Sequence, residues 1–183
     1  MKFRIAFLIL SLFSGISSGL ANETNEPPIW ISIVPDGKLS LLSLTFDDGT
    51  ISHLTKVAPI LKKYGIRASF YVIGASVGNT NDAYLTWAQI RELRDQGHEI
   101  GGHTVNHVDL WKLYRDGQTD EDHTTGSFAK ATATITAEIV GMKKLAADNG
   151  IDIKTFAYPY NYDNDFIKKV TRENGMIPVI PRL

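Results

Sequence analysis

The 183-residue sequence predicts an α/β fold with a mainly parallel sheet that is either open or closed into a barrel. Apolar and β-branched segments alternate with segments of helical periodicity in the order β-α-β-α-β-α-β-α-β. A polar cluster also follows three of the predicted strands directly, and in such folds functional side chains collect at the carboxyl ends of strands. The clusters are Asp47-Asp48, His103 with His107, and Tyr158-Pro159-Tyr160.

Five segments of this alternation are predicted strands because they are short, rich in apolar or β-branched residues, and bounded by turn residues. They are residues 39–44, 67–73, 98–102, 151–158 and 176–180. A polar linker with two prolines at 22–28 precedes them, followed by a further short strand at 29–34.

Four helices are predicted between these strands, because apolar residues recur at three- and four-residue spacing and a glycine stands at or just after each end. Pro59 indicates that the first helix is kinked or begins near Ala58, and Thr86 is a predicted N-cap of the second. The polar segment 108–127 is predicted to be irregular. The predicted helices cover residues 53–64, 86–97, 128–149 and 163–174.

The length and amino-acid composition of the chain exclude several classes of protein. The length suits one domain, and 43% hydrophobic and 21% charged residues are typical of a globular protein. A formal net charge of -1 provides no basis for nucleic-acid binding or for a polybasic membrane surface. The absence of cysteine excludes disulfides, thiolate metal ligands and cysteine nucleophiles.

Residues 1–21 are predicted to be a secretory signal peptide. Lys2 and Arg4 form a basic start, an apolar segment follows at 5–13, and small residues at 19 and 21 form a cleavage site. A membrane anchor is the alternative, but the apolar segment is short and runs into serine and glycine. We therefore expect a periplasmic or secreted protein with no stable membrane span after cleavage.

The chemistry of the site is indicated by two pairs of residues. Adjacent carboxylates at Asp47 and Asp48 repel each other and are costly at the end of a buried strand, although a capped turn at Asp48-Gly49 is the simpler interpretation. His103 and His107 are four residues apart, a spacing that can direct two imidazoles at one point; solvated loop histidines are the alternative. One carboxylate would complete a metal site of two histidines and one carboxylate.

These residues carry a resemblance to a known family. The motifs Thr-Phe-Asp-Asp-Gly at 45–49 and His-Thr-x-x-His at 103–107 resemble those of polysaccharide deacetylases, the NodB-homology domain of carbohydrate esterase family 4. The run at 97–101 before the histidines and the Tyr-Pro-Tyr turn at 158–160 agree with it. The resemblance covers about residues 39–175 and implies a distorted (β/α) barrel, with the domain assigned to 39–183.

The resemblance also implies the roles of individual residues. Asp48, His103 and His107 become the metal ligands, with zinc as the default ion and cobalt, nickel or iron(II) as alternatives. Asp47 becomes the general base for a metal-activated water that attacks an acetyl carbonyl.

The implied substrate is an acetylated polysaccharide outside the cytoplasm, with N-deacetylation of N-acetylglucosamine-type residues favoured. The turn formed by Tyr158, Pro159 and Tyr160 would bind this substrate, and the backbone N–H of Tyr160 would donate a hydrogen bond to the oxyanion. Chitin-like oligomers, poly-N-acetylglucosamine, peptidoglycan and acetylated xylan all stay open, as does the oligomeric state.

The sequence departs from the family pattern in two respects. Ala157 stands where the third motif of the family usually has an arginine that braces the base. The Asp-rich fourth motif and the late histidine that serves as general acid are not found, and no histidine follows His123. We therefore expect a barrel short of its last strands and a weakened activity, since a general acid contributes roughly 10²–10⁴-fold.

Two other function classes compete with the deacetylase. One is a glycan-binding or vestigial domain with little or no turnover, and the other is a non-haem iron(II) oxygenase, for which the alternating α/β pattern is unusual. Among the remaining histidines, His98 is expected to be structural, and His53 and His123 are expected to be lone surface residues. The aromatic residues Trp111, Tyr114, Tyr160 and Tyr162 either stack on sugar rings or pack within the fold.

Overall fold

The computed structural model describes residues 42–79, 83–118 and 127–180. Five short strands form one sheet in chain order, every neighbouring pair is parallel, and the sheet curls into a half-barrel. The predicted α/β class and distorted barrel are thereby confirmed. The strands are β1 (Thr45–Phe46), β2 (Ser69–Val72), β3 (Glu99–Gly102), β4 (Thr155–Ala157) and β5 (Ile177–Val179).

Helices connect the strands on the outside of the sheet. A π-helical segment, His53–Val57, runs directly into the first helix, and Pro59 is the second residue of that helix. Because proline has no N–H to donate to the preceding turn, the helical geometry changes at this point, close to Ala58 as the sequence predicted. Thr86 and Gln89 form a capping box at the start of the second helix, as the sequence predicted for Thr86. The helices are α1 (Ala58–Tyr64), α2 (Trp87–Asp95), α3 (Leu110–Gln118), α4 (Ser127–Asp148) and α5 (Asp165–Glu173).

Helix α3 shows that the prediction of an irregular segment at 108–127 was wrong for its first half. Asp109 caps this helix, because its Oδ1 accepts a hydrogen bond from the backbone N–H of Lys112 at 2.8 Å. Leu110 is fully buried, and Tyr114 packs against Phe128 of α4. A nine-residue helix of this kind is marginal alone, so packing against α4 rather than local propensity decides its formation.

Several predicted segments lie outside the described residues. They include the signal peptide at 1–21, the linker and strand within 22–38, and the first half of the strand predicted at 39–44. The domain boundaries drawn from the sequence therefore stay predictions. No helix in the described ranges is both long and apolar enough to cross a membrane.

The two faces of the sheet differ in polarity. Phe70, Val72, Ile100 and Phe156 point outward and pack in one apolar cluster with the helices. On the opposite face, Glu99 accepts hydrogen bonds from the hydroxyls of Ser69 (2.5 Å) and Thr155 (2.9 Å). Tyr71 lies beside this network, and burial is the main reason that its pKa rises to about 12. The inner face is therefore a buried polar floor beneath the carboxyl ends of the strands.

The absence of a side chain at Gly101 leaves room for the side chains of Tyr71 and Thr155 in this polar floor. A Cβ at Gly101 would lie 2.3 Å from Cε1 of Tyr71 and 2.8 Å from Oγ1 of Thr155, so both neighbours would have to move. We expect Gly101→Ala to lower the free energy of unfolding by about 1–3 kcal/mol, as overpacking usually does. Thermal and urea unfolding would measure the loss.

Gly141→Ala on α4 is the matched control, because the added Cβ would meet only Cγ2 of Val105 at 3.2 Å and alanine favours a helix. Its stability should stay close to that of the wild type. Equal stability of Gly101→Ala and the wild type would contradict the tight packing of the floor.

Buried His98 makes stability depend on pH. Its Nδ1 accepts the backbone N–H of Ala68 at 3.3 Å, and burial, followed by the charge of Arg67, lowers its pKa below the ordinary value of 6.5. Well above pH 6.5 the imidazole is neutral in both the folded and the unfolded state. Below that pH the unfolded chain takes up the proton more readily than the folded one, so the free energy of unfolding falls.

His98→Asn keeps an acceptor for Ala68 but does not titrate in this range. Between about pH 7.5 and about pH 5.5, this variant should lose less unfolding free energy than the wild type. Urea unfolding at the two pH values measures the difference. Identical losses in the two proteins would show that His98 is not responsible.

Candidate metal centre

Asp47 and Asp48 follow β1 in a tight turn. Asp48 and Gly49 both adopt positive φ, 73° and 70°, a conformation that aspartate tolerates and glycine favours. A side chain at Gly49 would also meet Cγ1 of Val72 at 3.0 Å. The carbonyl of Gly49 accepts the N–H of Leu85 at 2.9 Å, which fixes the turn to the segment before α2.

The histidines lie on the loop that follows β3. The N–H of His103 continues the sheet pattern by donating to the carbonyl of Val72 at 3.0 Å. Thr104 and His107 have positive φ values of 65° and 55°, which reverse the chain so that both imidazoles return to the same edge. Residues after β2 hold this loop, because the N–H of Gly74 donates to the carbonyl of Thr104 at 3.0 Å.

The turn and the loop bring the three predicted metal ligands together. The Nε2 atoms of His103 and His107 lie 3.6 Å and 3.4 Å from Oδ1 of Asp48. These separations exceed ordinary hydrogen-bond lengths and are close to the about 3.3 Å that separates two nitrogen or oxygen ligands around a tetrahedral zinc ion. In the described part of the chain, these residues form a group whose ligand atoms lie within 4.8 Å of one another. The donor set fits a divalent first-row metal.

Hydrogen bonding and burial prepare His103 as a ligand. Its Nδ1–H donates to the carbonyl of Ala157 at 2.9 Å, which leaves the lone pair of Nε2 toward Asp48. Burial is the largest influence on its pKa and lowers it below 6.5. His103 is therefore neutral near pH 7, the state in which imidazole binds a metal.

Asp47 lies next to this group but outside it. Its side chain is half-buried, and its charge acts on His103 and, weakly, on Tyr71 of the polar floor. Its charge also acts on His53, so Asp47 lies close to the group without being one of its members.

The turn after β4 presents only one of its three predicted substrate-binding side chains. Tyr158 is 2% exposed and donates its hydroxyl to Oγ1 of Thr171 at 2.9 Å, and Pro159 is also buried. A direct contact of these two side chains with a polysaccharide is therefore not supported by the structure. Tyr160 is 57% exposed, and its ring centroid lies 5.0 Å from that of His107.

One expectation about the other residues is wrong and one open alternative is decided. His53 is not a surface residue, because it is 7% exposed and packs against the rings of Phe46 and Phe70. Of the two alternatives for Tyr114, packing within the fold is the one observed, since its ring stacks on that of Phe166. His123 lies outside the described residues.

A cleft of 270 Å³ opens beside Asp48 and His107. Ser76, Tyr84 and Asn106 line it, and none of them was singled out from the sequence. Only Asn106 could have been identified from the sequence, because it stands directly before the second histidine of the motif. Ser76 and Tyr84 reach the cleft through tertiary contacts of loops.

Comparison with known proteins decides the family. The family model described as polysaccharide deacetylase matches residues 36–179, most of the chain. The chain belongs to the polysaccharide deacetylase family. The resemblance read from the two motifs is therefore confirmed.

Several curated relatives are named as deacetylases. The chain is 35% identical to a chitin deacetylase of Colletotrichum lindemuthianum over 101 residues, which cover 51% of this chain and 40% of the relative. It is 28% identical to a peptidoglycan-N-acetylglucosamine deacetylase of Bacillus cereus over 162 residues, which cover 88% of this chain and 65% of the relative. The chain thus spans less than two thirds of the length of either relative.

The fold also matches solved structures of deacetylases. A deacetylase from Streptococcus pyogenes, solved in complex with acetate, aligns with a TM-score of 0.61 at 23% identity. The alignment covers 79% of this chain and 67% of that structure. At this identity the match supports the barrel fold of the domain.

The ligand group predicts specific zinc binding. Asp48→Asn and His107→Ala should each weaken zinc affinity by more than about tenfold, because the first removes the negative charge of the ligand set and the second removes one of its three donors. Competition with a chromophoric chelator would measure the affinity. Asp152→Asn is the matched control, since Asp152 is an exposed partner of Lys154. Unchanged affinity in both site variants would rule out this metal centre.

Proposed function

We propose that this chain is a metal-dependent hydrolase that removes acetyl groups from an extracytoplasmic polysaccharide, with N-acetylglucosamine-type residues favoured. The convergence of Asp48, His103 and His107 beside a separate carboxylate, Asp47, carries the proposal. Membership of the polysaccharide deacetylase family supports the reaction type, and the named chitin and peptidoglycan deacetylases support the substrate class. The predicted signal peptide supports a location outside the cytoplasm.

Asp48, His103 and His107 would hold the metal, for which zinc is the default. When bound, such an ion supplies Lewis acidity and lowers the pKa of water. The chain contributes neutral His103, whose orientation is set by the carbonyl of Ala157. The carboxylate of Asp48 contributes the negative charge of the ligand set.

Asp47 would act as the general base. Its carboxylate would accept a proton from the water that attacks the acetyl carbonyl carbon, while the carbonyl π electrons move onto oxygen. The backbone N–H of Tyr160 would donate a hydrogen bond to that oxygen. Cleavage of the C–N bond would release acetate, and the departing nitrogen would take up the proton held by Asp47 and leave as the free amine.

The exposed aromatic side chains beside the site would contact the sugar. Tyr160 and Tyr162 are more than half exposed, and the ring of Tyr162 lies 6.3 Å from that of Trp111. Aromatic faces of this kind stack on the apolar faces of pyranose rings. We propose that they hold the glycan residue whose acetyl group enters the site.

A glycan-binding domain with little turnover is the second candidate. The observation that favours it is Ala157, which stands where the arginine of the third family motif would brace the base. Such a domain would keep the metal centre and the aromatic rim but would hydrolyse slowly.

Acetate release from acetylated glucosamine oligomers tests the proposal, with and without added Zn²⁺. Asp47→Asn should reduce the rate by about 10²–10⁴-fold, because loss of a general base costs this much, while zinc affinity stays near that of the wild type. Asp152→Asn is again the matched control. Unchanged release in Asp47→Asn would contradict the assigned base. Oligomer binding without any release by the zinc-loaded wild type would favour the second candidate.

A further inference from the structure

A buried carboxylate on α4 contacts the histidine loop. Glu138 is 7% exposed and lies on the same face of α4 as Ile135, Ile139 and Met142, all fully buried. A carboxylate in such surroundings costs several kcal/mol unless donors compensate for the lost water. The described residues supply two donors, and both belong to Asn106.

The two hydrogen bonds form a clamp. The backbone N–H of Asn106 donates to Oε2 of Glu138 at 2.8 Å, and Nδ2 of Asn106 donates to Oε1 at 2.6 Å. Hydrogen bonds to an ionised acceptor are stronger than neutral ones, and two parallel bonds also fix direction. Glu138 therefore fixes both the backbone and the side chain of the residue directly before His107.

The two histidines depend on different anchors. His103 has its backbone in the sheet pattern and its ring on the carbonyl of Ala157. The described part of the chain gives the ring of His107 no comparable carbonyl partner; it contacts the rings of His103 and Tyr160. His107 also has a positive φ of 55°, which a non-glycine residue adopts only when its surroundings impose it.

We propose that Glu138 is a positioning residue for His107, acting through Asn106 to hold the left-handed turn that directs the imidazole at Asp48. This inference rests on the proposed metal site and adds a residue that touches neither metal nor substrate. A carboxylate that orients a metal-binding histidine usually accepts a hydrogen bond from the ring of that histidine. Here the carboxylate would act through the backbone of the preceding residue.

An exchange of two side chains tests the clamp. Asn106→Asp places two carboxylates against each other and should break the side-chain contact. Adding Glu138→Gln restores a donor and an acceptor, since the glutamine amide can donate to the new carboxylate while its oxygen accepts the backbone N–H. The single variant Asn106→Asp and the double variant carry the same residue at position 106. Any effect of its charge on the metal is therefore the same in these two proteins. Glu138→Ala removes the acceptor altogether. Glu92→Gln, at an exposed position of α2, is the control.

Zinc affinity is the first measurement. Asn106→Asp and Glu138→Ala should weaken it by about 10–100-fold, and the double variant should return to within about threefold of the wild type. Unchanged affinity in Asn106→Asp, or no recovery in the double variant, would overturn the inference. If Glu138→Ala does not fold, the comparison of Asn106→Asp with the double variant still decides the question.

Amide hydrogen exchange of the metal-free proteins is the second measurement, and it separates this inference from the proposed function. The amides of residues 105–107 should exchange faster in Asn106→Asp and slow again in the double variant, with α2 unaffected. If the wild type binds no zinc but the variants differ from it in this pattern of exchange, the proposed function is overturned and the clamp is confirmed. Equal exchange in all variants would overturn the clamp whatever the zinc result.

Discussion

The carboxyl end of β2 holds the two halves of the candidate site in one place. The carbonyl of Val72 accepts the N–H of His103, and its side chain leaves no room for a Cβ at Gly49 in the turn that carries Asp48. The N–H groups of Gly74 and Ala75 then bind the carbonyls of the histidine loop. One short strand therefore fixes both the acidic turn and the loop, and the distance between Asp48 and the imidazoles follows from its position.

The charged side chains around β2 have neighbours that offset the cost of their burial or of their mutual repulsion. The inner face of the sheet places Glu99 among the hydroxyls of Ser69 and Thr155, so a half-buried carboxylate has donors without a cation. At the upper edge, burial keeps His103 neutral while Asp47 and Asp48 bring negative charge close to it. Two imidazoles beside two carboxylates are an arrangement that a divalent cation stabilises, since the cation offsets the repulsion between the acids.

Ala157 shows why one departure from the family pattern leaves the metal centre intact. The carbonyl of Ala157 orients His103, and a backbone group performs this role whatever side chain the position carries. The arginine that the family usually places here would act on the base instead. Alanine at this position therefore leaves the orientation of His103 unchanged, because the contact is made by the backbone carbonyl.

The sequence by itself determined the order of the elements, the candidate ligands and the family. Alternating periodicity locates four of the five described strands and four of the five described helices, whereas the first strand was predicted at 39–44 and lies at Thr45–Phe46. The two motifs identify the candidate ligands Asp48, His103 and His107, because ligand spacing is a local property. Tertiary structure alone decided that α3 is helical, that Tyr158 and His53 are buried, and that Glu138 meets Asn106. Each of these depends on which surface packs against which, and residues 32 positions apart, as Asn106 and Glu138 are, meet only when helix and sheet are assembled.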